Sequence, residues 1–465
     1  MECRKLTYFP LPALGEPIKY LLVYSNLDFE DIKIPLMTWM EVKNDFPFGQ
    51  LPIYEENGKV VNQSVAIMRY LGKKCKLNGN NDWEDLEIDA IADTIKDLIN
   101  KLIGGHYTKS ASQQKLLQES ILNDTLPFYM KKLDAVAKEN NGHMACKRLT
   151  WVDFYVAGAL NYFFSFPFIK KDLWEENPHL KAVRENVLML PSIKDFRQKN
   201  PEDQKAIMDW FQFSGKPTLP YSQGYTVVYN FSSSVSRIIL RVNVQIKMTS
   251  IKVRYFDIPA RGEPIRLLLV YGGEDFENDK VDVRKWPEIK QTLTFGQVPV
   301  YEENGHIINQ TTAIIRYLGR KYKLGGNTEW ESLEIDSVAD NYIDFQQKIV
   351  QWHYIKSANK KKECREVLVN ETIPFYLERM EKIAKENGGH LALKRLTWAD
   401  FFFAGMIDYF SWMADLDLLK NYPSLKAVKE NVLNLPMIKK WYENNPVNME
   451  VSKFILEFTG KCTED

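Results

Sequence analysis

The chain repeats itself. Tyr8, Trp39, Lys43, Gln63, Trp83, Pro127, Thr150 and Trp151 return as Tyr255, Trp286, Lys290, Gln310, Trp330, Pro374, Thr397 and Trp398, always 247 residues later. Beyond about residue 162 the offset becomes 245, since Lys181-Ala-Val-Arg-Glu-Asn-Val matches Lys426-Ala-Val-Lys-Glu-Asn-Val. The first copy therefore carries two extra residues, placed near Phe166-Pro-Phe-Ile-Lys-Lys171. A period this long means a duplicated domain unit and not a solenoid. With 465 residues the chain also exceeds what one compact core ordinarily holds. Whatever architecture suits one copy must suit the other.

Within a copy the most telling stretch is Gly49-Gln-Leu-Pro-Ile-Tyr-Glu-Glu-Asn-Gly-Lys-Val-Val-Asn-Gln-Ser64, matched by Gly296-Gln-Val-Pro-Val-Tyr-Glu-Glu-Asn-Gly-His-Ile-Ile-Asn-Gln-Thr311. Two apolar runs joined through Asn-Gly read as a hairpin, because both central residues of the tight turn need positive φ. The Gln-Ser or Gln-Thr pair opens a helix. The free backbone N–H groups of that helix start suit an anion.

Upstream, Lys5–Phe9 reads as a strand and Gly15–Tyr24 as a helix with Pro17 in its first turn. Asp28–Pro35 is a second strand, parallel to the first through the helical crossover. Trp39–Asn44 forms a brief helical turn. From Trp83 to about Lys199 the pattern is all-helical. Leu86, Ile88, Ile91, Ile95, Leu98, Leu102 and Ile103 give one stripe, and Leu116–Lys138 reads as another long helix. Thr150-Trp-Val-Asp153 and Thr397-Trp-Ala-Asp400 are capping boxes that order the core.

These readings divide the chain into six parts: 1–80, 81–201, 202–248, 249–327, 328–447 and a tail at 448–465. The fold class is an α/β N-terminal domain plus an all-α C-terminal domain, the pair duplicated in tandem. Residues 202–248 have no counterpart in the repeat. They read as a linker, or as translated sequence between two adjacent genes, because Met248-Thr-Ser-Ile-Lys-Val resembles a second start.

Lys+Arg and Asp+Glu are equal at 61 each, which argues against a nucleic-acid partner. The five cysteines have neither metal nor disulfide spacing, so a reducing, cytoplasmic setting is expected and no metal. No signal peptide or membrane span is expected. Asn62-Gln-Ser64 and Asn309-Gln-Thr311 match a glycosylation sequon by chance.

Lys5-Leu-Thr-Tyr-Phe9, Gly15-Glu-Pro-Ile18, Trp39-x-x-x-Lys43, Gly49-Gln-x-Pro-x-Tyr54, Asn62-Gln-Ser64 and Leu149-Thr-Trp-Val-Asp-Phe154 together resemble the cytosolic glutathione S-transferases. The sequence is similar to the sigma class, the invertebrate type that also includes haematopoietic prostaglandin D synthase. The resemblance covers nearly all of 1–201 and 249–447. It implies thioredoxin-like N-terminal domains, helical C-terminal domains and a dimer with glutathione bound near the interface.

The chemistry that the resemblance implies follows from the ligand. Glutathione has two carboxylates, an ammonium and a thiol that is mostly protonated at neutral pH, so its ends must be held and a thiolate made in the middle. Tyr8 and Tyr255 are the catalytic candidates, because a phenol O–H donated to sulfur favours S⁻ over S–H. Pro52 and Pro299 are expected to follow cis bonds. The backbones of Leu51 and Val298 would then pair with the cysteinyl portion.

Gln63, Ser64, Gln310 and Thr311 would grip the γ-glutamyl carboxylate, though Ser or Thr also suits plain helix capping. Trp39, Lys43, Trp286 and Lys290 would meet the glycine carboxylate. Asp97 and Asp344 would reach the γ-glutamyl ammonium of the neighbouring unit. Gln50 and Gln297 belong to the same site. Mammalian prostaglandin synthases tend to carry Lys there, so prostaglandin specificity is not carried over. Arg261 matches an Arg common in the family where the first copy has Leu14. His106 and His353 are read as structural.

The function expected is conjugation of glutathione to small electrophiles, with organic hydroperoxides as further substrates. The alternatives are a weakly active carrier of the crystallin type and a glutathione-dependent prostaglandin isomerase. Pairing within the chain or between chains is open.

Overall fold

A computed structural model describes residues 3–108, 111–200, 251–355 and 357–447. The connecting segment 202–248 and the tail 448–465 lie outside the described residues.

Each copy begins with a four-stranded sheet. In the first copy β1 (Arg4–Tyr8) leads into α1 (Glu16–Tyr24), β2 (Glu30–Lys33), α2 (Trp39–Val42), β3 (Ile53–Glu56), β4 (Lys59–Asn62) and α3 (Ser64–Lys74). Strand order is β2-β1-β3-β4, with β1 and β2 parallel and the other pairs antiparallel. The second copy repeats this order in β6-β5-β7-β8, made of β5 (Ile251–Phe256), β6 (Glu277–Val281), β7 (Val300–Glu303) and β8 (His306–Asn309). Asn57 and Gly58 adopt φ of 53° and 78°, and Asn304 and Gly305 φ of 53° and 81°, as the Asn-Gly turn requires. The peptide bonds Leu51–Pro52 and Val298–Pro299 are cis.

A helical domain follows. Its axis is the long helix α4 (Asp82–Tyr107), whose counterpart is Glu329–His353. The helix expected over Leu116–Lys138 begins earlier and is interrupted. It runs Ala111–Ser120, widens into a π turn at Ile121–Thr125 and resumes at Leu126–Glu139. Pro127 explains the interruption: it has no N–H to donate, and its ring crowds the carbonyl one turn back. Pro374 follows the same π turn at Leu368–Thr372.

Both capping boxes form. Asp153 accepts hydrogen bonds from Thr150 N (2.7 Å), Thr150 Oγ1 (3.0 Å) and the loop amide of Met144 (2.8 Å), all fully buried. Gly72 of α3 allows the helix that follows Thr150 to dock, since a Cβ there would lie 2.4 Å from the Trp151 ring. The sheet domain is thereby fixed on the helical domain.

The two copies pack on each other through these helices. α3 lies against Glu329–His353, and the helix Thr311–Lys321 lies against α4. At the centre Arg69 bonds Asp89 (2.6 Å) and Asp336 (3.1 Å), while Arg316 bonds Asp336 (2.7 Å) and Asp89 (3.3 Å). All four are buried and form a closed ring of alternating charge across the boundary. Phe48 enters the core of the second copy beside Tyr376, at 6.1 Å between ring centres, and Phe295 enters the core of the first.

Candidate active site

β1 ends at Tyr8 and delivers its ring to the mouth of a cavity of about 210 Å³. Gly15 makes that placement feasible: a Cβ there would stand 2.5 Å from the ring. The Tyr8 hydroxyl accepts the Leu14 N–H at 3.2 Å, which leaves its own proton to donate. In the second copy the Tyr255 hydroxyl accepts the Arg261 N–H, also at 3.2 Å.

Burial raises both phenols above the ordinary tyrosine range. They therefore stay protonated at neutral pH and act as donors, not bases. The two differ in their neighbours. Arg261 and Arg266 both oppose the rise at Tyr255, whereas at Tyr8 the opposing contribution is the Leu14 backbone alone, and Tyr107 adds to the rise.

The cavity also brings together Gln50, Leu51, Pro52, Gln63, Ser64 and, from the second copy, Asp344. Gln50 Nε2 and Gln63 Nε2 each donate to Asp344 Oδ2 at 2.9 Å. The mirror arrangement has Gln297 and Gln310 donating to Asp97 Oδ2 at 3.3 and 3.2 Å. Each acid thus stands at the site of the other copy.

α3 starts on Ser64, but Ser64 does not cap it. The cap position is Gln63 in a positive-φ conformation (78°), with no side-chain hydrogen bond to the first turn. The plain-cap reading of Ser64 and Thr311 is therefore corrected: the turn geometry places each hydroxyl inside the helix, one position too late to cap. Thr311 Oγ1 instead donates to the Arg261 carbonyl at 3.1 Å.

Trp39 and Lys43 do not line this cavity. Trp39 is buried edge-on against Phe9 at 5.3 Å, and Trp286 takes the same position against Phe256 at 5.3 Å. Lys43 and Lys290 precede the loops to Gly49 and Gly296, whose Cα positions they flank. Val298 and Pro299 mirror Leu51 and Pro52, and Val298 packs near Tyr255. His106 stacks on Phe166 at 4.4 Å, and His353 Nδ1 bonds the Met413 carbonyl at 2.8 Å, so both serve packing.

Several contributors escaped sequence reading. Tyr155, Tyr162 and Phe163 join Tyr107 in the apolar wall beside Tyr8, and Tyr376 enters from the second copy. Asn62 and Asn341 exchange amide hydrogen bonds at 2.9 Å in both directions across the boundary. Buried in this pair, Asn62 has no access for a glycan. The repeated Asn-Gln before each helix was a signal, but its partner is not local in sequence.

Comparison with known proteins agrees with this architecture. The family description "Glutathione S-transferase, N-terminal domain" matches residues 4–73 and 251–320, and "Glutathione S-transferase, C-terminal domain" matches 96–200 and 343–445. Glutathione S-transferase S1 of Drosophila melanogaster is 43% identical over 194 residues, covering 42% of this chain and 78% of the relative. Glutathione S-transferase of Anopheles gambiae is 40% identical over 200 residues, covering 43% of this chain and 98% of the relative. Hematopoietic prostaglandin D synthase of Homo sapiens is 32% identical over 198 residues, covering 43% and 96%.

The chain belongs to the glutathione S-transferase family. It carries the family's pair of domains twice, in tandem.

Proposed function

We propose that the chain is a tandem glutathione transferase of the sigma type, in which each copy conjugates the glutathione thiolate to a small electrophile. The observation that carries this is the convergence of a buried, protonated strand-end tyrosine and a Gln–Gln–Asp array on one cavity. A phenol that donates to sulfur lowers the thiol pKa, and the buried site strengthens the interaction by excluding water.

Gln63, Ser64 and the uncapped start of α3 suit the γ-glutamyl carboxylate, with Gln50 beside them. Asp344 and, in the other site, Asp97 suit its ammonium. Leu51 and Val298 offer backbone to the cysteinyl portion next to Pro52 and Pro299. Trp39, Lys43, Trp286 and Lys290 are assigned to the glycine end, and Arg261 to the thiolate of the second site. The apolar wall of Tyr107, Tyr162 and Phe163 receives the electrophile, with organic hydroperoxides as a second class. Each copy divides after residues 80 and 327, and the copies pair within one chain, in the cytoplasm.

Glutathione conjugation to a halo-aromatic in the wild type, Tyr8→Phe, Tyr255→Phe and the double variant tests the reading. Each single change is expected to remove most of one site's turnover and the double change nearly all of it. Unchanged turnover in the double variant sinks the tyrosine mechanism.

A further inference from the structure

The two sites share one anchor where they meet the neighbouring copy, and differ in some of the residues around it. In both, two glutamine amides hold the Oδ2 oxygen of the neighbour's aspartate. Around Asp344 stand two ammonium groups. Lys96 comes from α4, and Lys348 comes from the next turn of the helix that carries Asp344. Lys96, Lys348 and Asp344 line the same cavity.

The Lys96 Nζ lies 3.3 Å from Asp340 Oδ1, and its side chain is only 17% exposed. Asp340, Asp344 and Asp93 all favour its charged form. Around Asp97 the corresponding residues are Lys101 and Ile343. The buried Ile343 thus holds, in the second copy, the sequence position that the cation Lys96 holds in the first.

We propose that Lys96 makes the first site tolerant of thiol peptides whose γ-glutamyl amine is neutral or absent, whereas the second site, with Ile343, depends on the ammonium. This rests on the functional reading above, in which Asp344 and Asp97 receive that ammonium. In the first site the Asp344 charge is already met from the cavity wall. An arriving ammonium is attracted by Asp344 but repelled by Lys96 in a water-poor cleft, where charges are poorly screened. A neutral amide or a methylene in its place escapes the repulsion, while Lys96, paired with Asp340, still favours the Asp344 charge. In the second site Ile343 holds the position of Lys96, so of that pair of cations only Lys101, the counterpart of Lys348, remains to oppose the ligand ammonium.

The test compares glutathione with N-acetylglutathione and with glutaryl-cysteinylglycine, which lacks the amine. Full-length Tyr255→Phe reads the first site and Tyr8→Phe reads the second. Loss of the ammonium is expected to raise KM roughly tenfold more in the second site than in the first, the scale of one extra charge contact. Lys96→Ile should bring the first site to the ratio of the second, and Ile343→Lys should do the reverse. The wild-type comparison needs neither variant, so misfolding of one does not decide the matter. Equal ratios in the two sites, unmoved by either swap, overturn the proposal. Absence of turnover with glutathione itself overturns the transferase reading and this inference with it.

Discussion

Replacing Leu14 with Arg should shift the first site's working range toward acid. Tyr8 and Tyr255 have the same backbone contact at 3.2 Å and are both buried, yet only Tyr255 has cations that favour a nearby negative charge. The Arg266 guanidinium, paired with Glu263 at 2.6 Å, stands 5.8 Å from the Tyr255 ring centre, while its counterpart Lys19 is paired with Asp31 at 2.9 Å and is not among the groups that act on Tyr8. A cation within about 4–6 Å lowers an acid's pKa by roughly 1–3 units. Position 14 is half-buried, so the low end applies, about one unit or 1.4 kcal/mol. A thiolate held at the Tyr8 hydroxyl would feel the same charge.

A lower thiol pKa means that the reactive thiolate persists to lower pH. The acid limb of kcat/KM should move down by about one unit, giving about tenfold more turnover well below the pKa. Above both pKa values the gain disappears. The assay is the pH profile of halo-aromatic conjugation in a Tyr255→Phe background. Arg261→Leu in a Tyr8→Phe background should move the second site's limb the other way. If neither limb moves, the guanidinium does not act on the thiol and the reasoning fails.

Two further predictions concern the boundary between the copies. Arg69→Met leaves Asp89 and Asp336 short of one partner inside the buried ring and should cost about 3–5 kcal/mol in urea unfolding; a loss under about 1 kcal/mol would show that the ring carries little of the pairing. Burial pushes the Asp93 carboxyl up to about 7, against attraction from Arg316 and Arg69 and with repulsion from Asp340. The folded chain thus binds a proton that the unfolded chain releases near pH 4, and stability falls as pH rises from there through about 7. Asp93→Asn removes this slope, so the Tm of the variant should gain on wild type at pH 8 relative to pH 5; an equal difference at both pH values would show that Asp93 does not titrate in this window.

Much of one copy was legible because the signals are local. Asn57-Gly58 required a tight turn, Thr150 and Asp153 met three residues apart, and Tyr8 closed a short strand. Pro127 was visible, but its effect was missed: amphipathic spacing continues through a π turn even though the hydrogen-bond ladder does not. Ser64 looked like a cap because the positive φ of Gln63, which sets the helix start, leaves no mark in composition. The pairing of Arg69 with Asp336 spans 267 residues, so no periodicity within a copy reports it. The same holds for Lys96, which as a lone helical lysine reads as a solvated charge until the neighbouring copy places Asp340 beside it.

The amide exchange between Asn62 and Asn341 has a consequence for how such a chain changes over time. In a pair of identical subunits every substitution at the axis occurs twice, so a residue must suit its own image. Here the position that holds Asn341 on one side holds Thr94 on the other, and Gln310 turns to the Thr94 hydroxyl at 3.2 Å. A favourable mutation therefore needs to be favourable only once. The seam is free to become directional, with a left and a right, while the outward shape of both halves stays the same.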